Sequence, residues 1–235
     1  MGKEIEAISV ERHHEIVLKV GRKGTSKAEL NASQAQVAIE FSTPSTALQN
    51  ISACAQAQIP VIVGTTAWYD HYERATHEIT RHNSAMLCAT NFSIGVNLFF
   101  KLTEQMAQLM NGFTAYEPSI EEIHHLQKLD APSGTAITTA ERLLLNFDRK
   151  KQWVHLENGK DDNKSAGNPL NLNIASFRQP DVPGTHTVSF NSEIDTLSLS
   201  HVAHSRKGFA WGAIMAAEWI LDKKGIFSMQ DVLKF

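Results

Sequence analysis

Two short runs in this chain, PVIV at residues 60–63 and AMLCA at 85–89, are apolar at nearly every position. A strand with one wet face alternates polar and apolar residues. A run that is apolar throughout must be covered on both sides, as in a parallel sheet. QVAIEF at 36–41 reads as a third strand and EIVLKV at 15–20 as a fourth. Helical patterns separate them: residues 45–57, with Ala47, Leu48, Ile51 and Cys54 at helical spacing, and a polar-faced stretch at 71–83. Residues 1–11 read as a helix with Ile5, Ile8 and Val10 on its apolar face. Strands alternating with helices specify an α/β unit, a parallel sheet with helices on both faces.

After Asn91 the pattern changes. Residues 96–110 form a long apolar helical stretch, SIEEIH at 119–124 alternates like a strand, and 136–147 return to helix. Runs at 173–178, 185–190 and 196–204 again alternate, which predicts an open, largely antiparallel sheet with one buried face. Residues 208–221 form a last helix, with Trp211 and Trp219 at core spacing. The expected organisation is a Rossmann-like dinucleotide-binding domain at 1–92 and 206–235. An α+β domain with a mixed or antiparallel sheet is inserted at 93–205, for substrate binding and oligomerisation. The polar loop NGKDDNKSAGN at 158–168 is expected to be mobile.

With 42% hydrophobic residues the 235-residue chain can bury a substantial core, and a net charge of −3 argues against a nucleic-acid binder. No apolar run approaches the roughly 18 residues of a membrane-spanning helix. Cys54 and Cys88 read as free core thiols, and the expected location is the cytoplasm.

A dinucleotide-binding unit ordinarily starts with a strand, then G-x-G-x-x-G, then a helix. This sequence starts at Met1-Gly2-Lys3 and enters a helix directly, so Gly2 reads as the last glycine of that fingerprint. The expectation is a sequence that starts at an internal methionine, about ten residues late. After residue 20 no acid is placed to grip a ribose 2′-hydroxyl. Arg22 and Lys23 stand there instead and could pair with a 2′-phosphate.

The densest chemistry lies at 124–135, HHLQKLDAPSGT. At the end of a strand, His124 and His125 fall on different sides, and a histidine near neutrality is a natural general acid. Lys128 supplies a positive charge for a carboxylate or for charge that develops during reduction. Asp130-Ala131-Pro132 turns the chain, and Ser133, Gly134 and Thr135 open a helix. Its N–H groups and dipole favour a second anion. His201 and His204 are three apart in a strand-like segment and face opposite ways, so no metal site is expected there.

The stretch EIHHLQKLDAPSGTA closely resembles the signature of the dihydrodipicolinate reductase (4-hydroxy-tetrahydrodipicolinate reductase) family. In order along the chain, FSTP at 41–44, VGTT at 63–66, NFSIGVN at 91–97 and GIFSMQDVL at 225–233 are similar to further segments of that family. The resemblance implies reduction of a cyclic dicarboxylate imine by NADPH or NADH, with overall loss of water, in lysine and diaminopimelate synthesis. It implies His124 as acid with Lys128 as cationic partner, and His125, Lys128, Ser133, Gly134 and Thr135 holding substrate. It also implies Gly64, Thr65, Thr66, Asn91 and Phe92 at the cofactor, and a homotetramer. The competing expectation is a catalytically silent dicarboxylate-binding homologue that lost the cofactor loop.

Overall fold

The computed structural model describes residues 1–21, 24–160 and 167–235. In chain order the elements are α1 (Gly2–Glu11), α2 (Lys27–Ser33), β1 (Ala38–Glu40), α3 (Pro44–Gln56), β2 (Val61–Val63), a 3-10 turn (Tyr69–His71), α4 (Tyr72–Arg81) and β3 (Ala85–Cys88). Then come α5 (Ile94–Met110), β4 (Glu117–His124), α6 (Gly134–Leu145), β5 (Gln152–Glu157), β6 (Asn171–Arg178), β7 (Gly184–Asn191) and β8 (Thr196–Ala203). The chain ends with α7 (Lys207–Ile220), β9 (Gly225–Phe227) and α8 (Met229–Leu233). Two compact units result, Met1–Ile94 with Arg206–Phe235, and Gly95–Ser205.

The first unit holds a four-stranded parallel sheet in the order β1-β2-β3-β9. The continuous apolar run of β2 has a simple cause. Val61 and Val63 pack with Ile51 and Cys54 of α3 and Ile79 of α4, while Ile62 packs on the other face with Ala213, Ala216 and Ile220 of α7. All three β2 residues are fully buried, each side chain contributing about 1.5–3 kcal/mol.

Residues 15–20 are not a strand, and Val17, Leu18 and Val20 lie open to solvent. A strand exists only where a neighbour satisfies its backbone N–H and C=O groups. Among the described residues none lies beside this segment, and β1 is the sheet's edge. On α1, Met1, Ile5 and Ile8 form the stripe that packs on Ala210 and Ile214 of α7. Val10 falls off that stripe and is 63% exposed, contrary to the sequence expectation. Trp211 also departs from its expected core position, being partly exposed beneath the Arg12 guanidinium. The buried side of α7 is instead Ala210, Ala213, Ile214 and Ala217. Trp219 does pack, edge-on against Phe227 at 5.1 Å.

The second unit holds a five-stranded sheet, β5-β6-β4-β7-β8. It is mixed rather than largely antiparallel: β6 runs parallel to β4 and β5, whereas β7 is antiparallel to β4 and β8. The crossover through α6 returns the chain to the end at which β4 began, so β5 must run the same way as β4. One face of the sheet packs Ile120, Leu172, Ile174, Val188 and Phe190 against Phe99 and Phe100 of α5 and Ala140 and Leu143 of α6. Toward the other end of the same face the rows turn polar. β4 continues to Glu122 and His124, β6 to Ser176 and Arg178, and β7 runs through His186 to Gly184. Three strands change character at one level, and a polar cluster sits at the end of the apolar core.

Candidate active site

Strand register builds this cluster. Glu122 stands opposite Ser176 on β6 and His186 on β7, and His124 stands opposite Arg178. Residues two apart on a strand share a face, so His124 lies on the same side as Glu122. The helix α6 starts beside them, with Ser133 as N-cap accepting from Ala136 N at 3.2 Å.

Glu122 is fully buried. Its oxygens accept from the Ser133 backbone N–H at 3.0 and 3.1 Å and from the Ser176 hydroxyl at 2.8 Å. Arg178 Nη1 lies 3.6 Å from Oε1, and His124 Nδ1 lies 3.3 Å from Oε2. The His124 contact is an ion-pair separation whose angle falls short of a hydrogen bond. Burial alone would push this carboxyl up. The contact with His124, the hydrogen bonds from Ser133 and Ser176 and the charge of His124 outweigh it and hold it down to about 2. Glu122 is therefore a permanent buried anion.

His186 behaves oppositely. Burial, then the nearby His124, push it down to about 3, against the pull of Glu122. It is a neutral imidazole, with Nε2 3.1 Å from the Ser133 hydroxyl and its ring edge-on to His124 at 5.0 Å. Ligand atoms of Glu122, His124 and His186 lie within 4.8 Å of one another, a spacing that a metal ion could bridge. The carboxylate's charge is already answered by the Ser133 and Ser176 donors, His124 and Arg178, and this favours a proton-handling cluster.

The sequence-predicted residues fall around this core in different ways. His124 is 7% exposed and His125 half-buried. Lys128 Nζ holds the Asp130 carboxylate at 2.7 and 2.8 Å. That pair is partly exposed and worth no more than about 1 kcal/mol. Ser133, expected to touch substrate, is 3% exposed; its N–H donates to Glu122, and its hydroxyl oxygen accepts from Ala136 N and pairs with His186 Nε2. Gly134 is exposed and Thr135 half-buried at the helix start.

In the first unit a cleft of about 350 Å³ opens at the carboxyl ends of β1 and β2, lined by Met1, Phe41, Ser42, Gly64, Thr65 and Thr66. Ligands of open α/β sheets bind at such strand ends. Ser42 N donates to Thr65 Oγ1 at 2.8 Å, which ties the two strand-end loops together. Gly64 is required sterically, because a Cβ there would overlap the Phe41 ring. A larger hollow of about 540 Å³ is lined by residues of α2, α3 and the start of α4. Asn91 Oδ1 accepts from Ser93 N, and the Phe92 ring is core, 5.7 Å from Phe41. Gly2 is the first residue of α1, and nothing lies within 4 Å of where its Cβ would be. Arg22 and Lys23 fall outside the described residues, as do 161–166 of the polar loop.

Glu122, Ser176, Arg178 and His186 escaped the sequence reading. Glu122 carried a usable signal, sharing a strand face with His124 two residues on. Arg178 holds the motif loop through the carbonyls of Lys128 and Asp130, at 3.3 and 2.7 Å.

The chain matches "Dihydrodipicolinate reductase, N-terminus" over residues 1–92 and "Dihydrodipicolinate reductase, C-terminus" over 95–233. It belongs to the dihydrodipicolinate reductase family. A 4-hydroxy-tetrahydrodipicolinate reductase from Christiangramia forsetii is 46% identical over 99% of this chain and 93% of that relative. One from Neisseria meningitidis serogroup B is 33% identical over 97% and 83%. Among solved structures, a dipicolinate-bound dihydrodipicolinate reductase from Paenisporosarcina sp. TG-14 superposes with a TM-score of 0.68 at 23% identity, covering 86% of this chain and 75% of its own. An amine dehydrogenase from Mycobacterium smegmatis shares the fold at a TM-score of 0.61 and 7% identity, over 96% and 91%.

Proposed function

We propose that this chain reduces 4-hydroxy-tetrahydrodipicolinate to tetrahydrodipicolinate with NADH or NADPH, in diaminopimelate and lysine synthesis. The carrying observation is the polar end of the second unit's sheet. There an imidazole set beside a permanent anion, a lysine in a partly exposed ion pair and the exposed start of α6 lie on one short stretch of chain. Such a site suits a small dianion that must receive a proton.

In this reading His124 gives the proton. His125, Lys128, Ser133, Gly134 and Thr135 hold the two carboxylates. The hydroxyl-lined cleft of Gly64, Thr65 and Thr66 fits the sugar and amide of a nicotinamide nucleotide, to which Asn91, Phe92 and Gly2, at the adjoining helix start, are also assigned. When bound, the reduced nicotinamide supplies a hydride. Arg22 and Lys23 are assigned to a 2′-phosphate, which favours NADPH. A cytoplasmic homotetramer belongs to the same proposal. The outer face of β7 and β8, where Thr187 meets Ser200 and Ser189 meets Ser198, is the surface offered to other copies.

The test is nucleotide oxidation, followed with both NADPH and NADH and with enzymatically generated substrate. Turnover with at least one nucleotide is expected. Dipicolinate binding without oxidation of either would overturn the reading in favour of a silent dicarboxylate binder.

A further inference from the structure

We infer that Glu122 is a positioning residue for His124: it holds the ring by its Nδ1 edge, so that Nε2, lying over Gly184, is the atom that passes the proton. The inference rests on the reading of His124 as the acid and adds how that acid is oriented.

Four observations lead there. Glu122 and His124 occupy one face of β4, and Nδ1 of the ring, 3.3 Å from Oε2, has no other partner among the described residues. The carboxylate is itself immobilised by donors from two further elements, the Ser133 N–H at the start of α6 and the Ser176 hydroxyl on β6. A fixed acceptor of this kind selects the tautomer and orientation of a neighbouring imidazole, the logic of an Asp–His pair in a hydrolase triad. At the ring's other edge, any side chain at position 184 would put its Cβ 3.0 Å from Nε2, and the glycine leaves that space clear. Finally, the neighbouring His186 turns its Nε2 to the Ser133 hydroxyl at 3.1 Å and stands farther from Oε2, at 3.8 Å, than His124 Nδ1 does at 3.3 Å.

The charged and titratable groups facing His124 come from every side. They are Glu122 on its own strand, Arg178 opposite it on β6 and His186 on β7, while Lys128 of the following loop and His201 of β8 act on His186. Arg178 Nη1 lies 3.6 Å from Oε1 of the Glu122 carboxylate. During turnover the Nε2–H bond breaks and the substrate takes that proton to balance the incoming hydride. The imidazolium becomes a neutral ring that keeps its proton on Nδ1, toward Glu122, and solvent then restores the proton on Nε2.

The tautomer can be read on the unaltered protein by ¹⁵N NMR of the histidine rings, with the His124 signals assigned by their loss in His124→Gln. A neutral His124 ring protonated on Nδ1 is expected, and one protonated on Nε2 would overturn the inference. In Glu122→Gln, which keeps the shape and the acceptor oxygen, kcat should fall on the order of a hundredfold with KM little changed. The alkaline limb of the kcat profile should move to lower pH, because the ring loses its anion. Glu122→Asp should bring the limb back. A lower kcat with an unmoved limb marks a merely structural role and sinks the proposal. If Glu122→Gln does not fold, the tautomer measurement decides. If the unaltered chain oxidises neither nucleotide, the reductase reading fails, while the nitrogen assignment still accepts or rejects the orientation.

Discussion

The two candidate sites are built in opposite ways. The first unit's cleft is made of strand-end loops, small hydroxyl side chains and a glycine, with no charged side chain among its described lining residues. The second unit's cluster is made of buried ionisable side chains locked together across three strands and a helix start. A site that only holds a large nucleotide needs shape and backbone groups. A site that must move a proton needs charges whose values are set by surroundings. The contrast predicts that damage to one unit leaves the other's task intact.

The largest effect should come from His124→Gln. Turnover is expected to fall about 10²–10⁴-fold while nucleotide affinity, read by fluorescence titration, stays put. Equal losses in both would break the division of labour. Lys128→Ala comes next. It removes a charge-assisted contact of about 1.5–3 kcal/mol and should raise KM as well as lower kcat. An unchanged KM would contradict its role at a carboxylate. In the other unit, Gly64→Ala forces a methyl into the Phe41 ring and should cost about 1–3 kcal/mol of stability. It should weaken nucleotide binding with dipicolinate binding, measured by calorimetry, preserved.

Acid stability sharpens the comparison further, because the two perturbed groups of the cluster act together. His186 is held down to about 3 from an ordinary 6.5, so the unfolded chain takes up its proton first, and stability drains as pH falls below 6.5 toward 3. Glu122 is held down to about 2 from 4.5, so its contribution is whole above 4.5 and disappears as pH falls through 2. Thermal melts should therefore decline steadily below neutrality, and His186→Gln should flatten the upper part of that decline. A profile identical to the unaltered protein's would refute the assignment to His186. The smallest effect belongs to Leu129→Ser. At 98% exposure, inside the motif loop but touching nothing buried, it should shift stability by less than about 0.5 kcal/mol.

Much of the scaffold was legible locally. The all-apolar runs announced a sheet covered on both faces, and β2 feeds two cores from alternate residues as that requires. The helix start at Ser133 was visible from Ser-Gly-Thr after a proline turn. The segment at 15–20 was misread because β-propensity describes a residue's fit to a strand, whereas a strand needs a neighbour. The second sheet was legible only as mixed or antiparallel. Alternation reports which face is buried and says nothing of which way the next strand runs.

The sequence by itself determined the periodicities, the position of the helix cap and the close spacing of His124, Lys128 and Ser133, because all of these depend on residues a few positions apart. Only the tertiary structure decided that Ser176, 54 residues along the chain from Glu122, and His186 on β7 would flank that carboxylate. The register between strands is set by which whole faces can be buried together, and a slip of one residue would have turned every one of these side chains to the other face.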